Sequence, residues 1–483
     1  MMNTNKITLA LLLLPAILLI SCKKWLDLKP EDKFTETQVF TNEATMNQVL
    51  NGLYIKLADA NLYGNHLGPG SIDIMGQLYN VGTQHTRRKT WEYAYMDATV
   101  QPIFSGMWTA AYTGIVNVNE LLKNLDAYKE TKGIRPGIDS LMRGEAIAIR
   151  ALLHFDMLRV FGPLYPTADS VKPSIPYYTA VSTKISPLYP ANAVVDSVLK
   201  DLATAEALLQ QDPVRTKGSP GGLAGDNAGF WNNRNIRLNY FAVKALQART
   251  LMYRGAKPEA LTAATSLIQE TEAWFPWVVP NTVISDKDNP NRVMTTECLF
   301  MLYNNNLYKT YQNLFAPELA DANILAPNDT RLKGAFESNE NDYRYNPNWF
   351  FSNISSKTYR TFYKYADIVD KTRSQRFLQP MIRKSELYLI AAECEPDKTI
   401  ALGYLNTLRK NRGLIDLAAT ATVLTEVQKE YQKEFYGEGQ MFFFYKRRNA
   451  PTILNSTSTT SSTVAMTAAK YVVPLPISET TYR

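Results

Sequence analysis

A mostly α-helical fold follows from three features of this 483-residue sequence. Apolar residues recur at helical spacing in separated segments that begin near residues 42, 108, 144, 193, 236 and 382. Two stretches, 236–271 and 382–413, read as helix, short turn, helix. Between the helices lie intervals rich in Gly, Pro, Asn and aromatic residues with no sustained alternation, so only a few short strands are expected. A helix pair cannot bury both of its faces alone. Several pairs must stack with neighbours sharing a core, which predicts a right-handed solenoid.

The chain opens with Lys6 and the apolar run Ile7–Ile20, too short for a stop-transfer helix, which reads as an export signal over residues 1–21. It ends in Leu19-Ile20-Ser21-Cys22, which resembles a bacterial lipobox, so Cys22 is the expected lipid anchor. Acyl chains there would hold the protein on a membrane without a spanning helix, and Lys23 after the cysteine gives no inner-membrane retention signal. Residues 22–40 read as an extended tether and 41–483 as a single helical domain. Cys298 and Cys394 sit in apolar contexts and read as two buried free thiols, with a disulfide in an oxidising compartment left open by the sequence.

Within the domain, Asn42 is a suitable cap for a helix running to Ala60. From Asn61 to Gln101 periodicity fails and aromatics gather in a long loop region, and long loops in a compact protein are usually functional. Helical spacing returns at Trp108–Leu125. The next helix, Gly144–Phe161, is apolar nearly all round and must be covered on most sides. Asp156 and Arg159 in it stand at ion-pairing spacing, and Gly162-Pro163 closes it, the glycine being suited to a left-handed cap. Ala193–Leu209 is a further amphipathic helix. The helix ending at Gly255 is followed by one starting at Pro258, and the pair resembles a tetratricopeptide unit. Residues 272–381 read as an irregular insertion, with short apolar runs at Cys298–Tyr303, Trp349–Phe351 and Tyr363–Tyr365. A short helix at Glu426–Tyr436 ends at Gly437 and Gly439. Met441–Arg448 is aromatic and basic, best read as a buried ring cluster flanked by solvated cations. Asn455–Thr463 is a Ser/Thr-rich stretch expected to be a mobile loop, and Tyr471–Pro476 an extended closing segment.

Several of these blocks together resemble the SusD/RagB family of outer-membrane nutrient-binding lipoproteins. The family's signature helix is matched at Glu145-Ala146, Arg150-Ala151, Phe155, Phe161-Gly162 and Pro166. Further matches fall at Ala242–Gly255, Arg383–Glu393, Leu405–Gly413, Glu434–Arg447 and Val473–Pro476. The block near the C-terminus departs from the pattern, with Gln440-Met441 after Gly439 and Phe443-Phe444-Tyr445 in place of its acidic position. The resemblance implies four tetratricopeptide-like pairs in a protein facing the cell exterior. It implies a SusC-like TonB-dependent transporter as partner, oligosaccharide capture without bond cleavage, and peptide capture as in the RagB branch as the alternative.

Sugars stack their CH faces on aromatic rings while amides and guanidinium groups satisfy hydroxyls, so ligand residues are expected among aromatics in the irregular segments. Trp91, Tyr79, Asn80 and Arg87 in the first loop, and Tyr343, Arg344, Tyr345 and Trp349 in the insertion, have that character. Each aromatic is as readily explained by packing. Trp108, Trp274 and Trp277 stand in apolar or Pro-bounded contexts and read as structural. Asp286, Asp288 and Glu297 resemble part of a calcium loop, but Asn291 stands where the sharp turn needs Gly. The Gly218–Gly229 run lacks the ending of a phosphate loop. No catalytic residue, metal or cofactor is expected, although a hydrolytic carboxylate pair or a ligand-free protein-binding scaffold stays open. The net charge of +7 is spread out with no long basic run, which argues against a nucleic-acid partner.

Overall fold

The computed structural model describes residues 42–132, 136–223 and 229–483. The chain divides into two units, residues 1–46 and 47–483. The export signal, Cys22 and the tether lie outside the described residues. Asn42 caps helix α1 (Glu43–Leu57) as predicted, its side-chain oxygen accepting from the Thr45 N–H at 3.0 Å.

The larger unit is mostly helical. Its principal helices are α2 (Gln101–Lys132), α3 (Pro136–Phe161), α4 (Ala191–Leu208), α5 (Tyr240–Arg254), α6 (Lys257–Thr271), α7 (Lys384–Cys394), α8 (Lys398–Lys410), α9 (Val423–Phe435) and α10 (Met441–Arg447). From α2 to α8 each helix packs mainly on the one before and the one after it. Helix α3 is buried almost throughout, as its all-round apolar pattern requires. Gly162 ends it without a left-handed φ. A Cβ there would lie 2.5 Å from the Leu158 oxygen and 2.6 Å from Leu158 Cδ1, so glycine is needed for room rather than for handedness. Gly255 after α5 does take the left-handed conformation, with φ +81°.

The charged residues of α3 are buried and paired. Glu145 accepts from Arg234 at 2.6 Å and from the Tyr54 hydroxyl at 2.7 Å. Arg150 forms a fork on Asp201, both bonds 2.8 Å, and Arg159 bonds Asp156 at 2.8 Å. An unpaired charge at such depth would be costly, so the polar letters of the signature helix are ties between scaffold elements.

Short strands frame the insertion. β1 (Cys298–Tyr303) pairs antiparallel with β4 (Leu378–Arg383), which runs directly into α7, and β2 (Trp349–Phe350) pairs with β3 (Thr361–Phe362). Cys298 and Cys394 are buried free thiols. In α10 the rings are buried as expected, but the cations are not solvated. Lys446 is fully buried and donates to the Val160 and Gly162 carbonyls at the end of α3, at 3.2 and 2.8 Å, and Arg447 pairs with Glu393. A helix C-terminus offers unsatisfied carbonyls and partial negative charge, which suits a lysine. The Ser/Thr-rich stretch turns a hairpin between Thr452–Leu454 and Thr463–Ala465, and Ser456 is buried.

Candidate functional site

The insertion is anchored from below by an ionic hub. Glu434 on α9 accepts from Arg412 at 2.6 Å and Arg344 at 3.0 Å and lies 2.9 Å from Arg383. Glu430, one turn earlier, pairs with Arg344 and Arg409, both at 2.8 Å. Burial alone would raise both carboxyls. The surrounding cations outweigh it, holding Glu430 at about 2 and Glu434 well below the usual carboxylate range.

Above the hub lies a buried aromatic cluster centred on Tyr436. Tyr79, Phe336 and Trp349 approach its ring at 6.4, 6.3 and 5.2 Å, and Trp349 stacks on Phe362 at 4.4 Å. Rings at these separations are held by burial and by their quadrupoles. The cluster forms a rigid base.

On that base opens a cleft of about 990 Å³. Tyr343, Phe350, Phe351 and Tyr363 line it, together with Asp286, Lys287, Arg292, Glu340 and the Asn341, Asn346 and Asn353 amides. Phe350 and Phe351 are 38% and 51% exposed, and Arg360 covers part of Phe351, its guanidinium 4.4 Å from the ring centre. Arg292 donates to the Ala366 carbonyl at 3.1 Å, yet its Nε has no partner among the described residues, and burial lowers its pKa to about 10. It therefore stays charged at neutral pH with donor capacity unspent. Tyr343 is set by Gly413, which follows α8 with φ +76°. A Cβ there would come within 2.6 Å of the tyrosine ring and 2.5 Å of the Asn341 oxygen. The cleft thus combines ring faces, both signs of charge and amides, a set suited to binding a polar ligand with apolar faces.

The residues expected from sequence are distributed unevenly. Tyr343 lines the cleft. Tyr79, Tyr345 and Trp349 are brought together, but inside the base. Tyr79 donates to Asp73 at 3.1 Å, Tyr345 packs on Phe336 at 5.2 Å, and Trp349 is only 1% exposed. Arg344 is spent on Asp342, Glu430 and Glu434. Trp91 is buried, donating to Ser456 at 2.8 Å beneath the Arg88 guanidinium. Asn80 is exposed and Arg87 half-buried on a loop that bonds to residues 322–326, Arg87 donating to the Asn323 carbonyl at 3.0 Å. Phe350, Phe351, Tyr363 and Arg292 were not foreseen. β2 alternates Trp349 inward with Phe350 outward, but two residues are too few for a period to be read. Glu297 is buried on Arg412 and Asp286 faces Arg373, so the calcium-like triplet does not converge. Among the described residues no group of three His, Cys, Asp or Glu side chains is placed to hold a metal ion, and no helix is long and apolar enough to cross a membrane.

Fold and cleft together define a helical scaffold that carries a ligand-sized, aromatic-lined depression on an irregular insertion. Residues 24–220 match a family model described as starch-binding associating with outer membrane, and residues 282–478 match that of the SusD family. The chain belongs to the SusD family. Its fold is similar to a SusD superfamily protein from Bacteroides thetaiotaomicron (TM-score 0.70, 20% identity, covering 91% of this chain and 97% of that one). It is also similar to surface glycan-binding protein A from Bacteroides uniformis (0.66, 20%, 92% and 98%). A third similar structure is surface glycan-binding protein A from Bacteroides thetaiotaomicron in complex with laminarihexaose (0.64, 16%, 91% and 97%). No curated protein matches the chain.

Proposed function

We propose that this protein captures an oligosaccharide at the cell surface in the cleft of the insertion and passes it to a SusC-like TonB-dependent transporter, without cleaving it. The observation that carries the reading is the exposed pair Phe350 and Phe351 beside Tyr343 and the Asn341 and Asn353 amides. Ring faces dehydrate sugar CH groups while amides and Arg292 meet the hydroxyls. The family membership and the glycan-binding names of two similar structures support the same ligand class. Acylation at Cys22, after removal of residues 1–21, would hold the protein on the outer membrane facing the exterior.

Peptide capture is the second reading, favoured by the charged lining of Asp286, Lys287, Arg292 and Glu340. Calorimetric titration of the purified full chain with oligosaccharide and peptide panels separates the two. Saccharide binding that weakens in Phe351→Ala and Tyr343→Ala supports the proposal. Peptide binding at the same residues replaces it with the second reading, and turnover of any panel member overturns the non-catalytic role. Cys22→Ala is expected to release the protein from the membrane fraction, and co-purification with a large barrel protein tests the partner.

A further inference from the structure

Beyond the cleft, one tryptophan is left over by the packing. Of the described tryptophans, Trp91, Trp108, Trp231 and Trp349 are buried, and Trp277 rests against Tyr388 at 5.2 Å beneath Lys384 and Arg412. Trp274 is half-buried and has no aromatic or cationic partner among the described residues. Sequence context marks it as structural. In the structure it lines a separate cavity of about 410 Å³, none of whose lining residues belongs to the cleft.

The chemistry of this cavity differs from that of the cleft. Tyr303, 42% exposed at the end of β1 with its ring 5.2 Å from Phe377, supplies a second aromatic. Ile236 and Leu378, which pack with Cys298 and Met301, supply apolar surface. Gly218 lies against the indole, and a Cβ there would come within 3.0 Å of Trp274 Cε3. The polar lining is neutral: apart from the Tyr303 phenol it contains no ionisable side chain. The amides of Asn233 and Asn235 and the hydroxyls of Ser219 and Thr296 make no side-chain hydrogen bond among the described residues.

From this we infer a second ligand site, specific for an uncharged carbohydrate unit. An ionic ligand would find no counter-charge here, and a purely apolar one would strip water from the amides without replacing their hydrogen bonds. A neutral saccharide meets both demands, its CH face on Trp274 and Tyr303 and its hydroxyls on the Asn and Ser/Thr groups. The volume falls within the range of small-molecule sites, about 300–1,000 Å³.

Fluorine NMR of the full chain labelled with fluorotryptophan tests this, with the Trp274 resonance assigned by its loss in Trp274→Phe. Laminarihexaose, cellohexaose and maltohexaose are the probes, each taken to millimolar concentration. At least one is expected to shift the Trp274 resonance in a saturable manner. Asn235→Ala and Tyr303→Ala should each weaken that response roughly tenfold, while Phe351→Ala in the cleft leaves it unchanged. The inference is overturned if no probe moves the Trp274 resonance, if the shift disappears in Phe351→Ala, or if affinity is unchanged in both Asn235→Ala and Tyr303→Ala. A response to an uncharged Gly/Ser peptide and to none of the saccharides also overturns it.

Discussion

The signature block of α3 and the cleft of the insertion spend the same kinds of residue in opposite ways. In α3 each of Glu145, Arg150, Asp156 and Arg159 finds a buried partner on another element or a turn away. In the insertion, Arg292 keeps a nitrogen with no partner among the described residues, and Phe350 and Phe351 face solvent. A motif of charged residues on a helix therefore marks what holds the fold together, whereas the proposed ligand site draws on side chains of the insertion that packing leaves exposed. The aromatics show the same division: Trp349 faces the base and its neighbour Phe350 the cleft.

The sharpest way to break this comparison is to cut the hub. Glu434→Gln leaves Arg412, Arg383 and Arg344 without their shared carboxylate and should cost about 3–5 kcal/mol in urea unfolding, as expected when one partner of a buried pair is removed. A loss under about 1 kcal/mol would mean that the hub is not a structural tie. Trp349→Ala is expected to cost a similar amount, about 3–5 kcal/mol, because it opens a cavity in the base. If it instead leaves the unfolding midpoint unchanged and abolishes saccharide binding, the buried and exposed classes have been misassigned.

The hub also sets acid stability. Glu430 is held at about 2 in the folded protein, below its unfolded value, so the unfolded chain binds more protons across that interval. Its contribution is present above about pH 4.5 and is lost as the pH falls toward 2. Unfolding followed at pH 7, 4 and 3 should show this slope, and Glu430→Gln should flatten it. Gly413→Ala forces an L side chain into φ +76° against Asn341 and Tyr343, at a cost of about 1–3 kcal/mol, and should weaken cleft binding by displacing Tyr343. The smallest stability effect belongs to Phe351→Ala. It should stay within about 0.5 kcal/mol of the parent while saccharide affinity falls roughly tenfold, and an equal loss of both would sink the distinction between base and cleft.

Sequence alone determined the helices and much of what joins them. Periodicity located α3, α5 and α6, the Asn42 cap and the Gly255 stop, because these depend on residues within a turn or two of one another. It also supplied the Asp156–Arg159 pair and the burial of both cysteines. Which aromatic is left exposed was decided only by tertiary structure. Trp91 is covered because Ser456, 365 residues away, accepts from its indole, and Trp274 stays half-exposed because no ring or cation among the described residues reaches it. A tryptophan has the same local propensity in either place, and its exposure depends on what distant segments bring against it. Periodicity carries information along a helix or strand, whereas the cleft is built by irregular segments whose backbone follows no period, so its lining emerges only once they are packed.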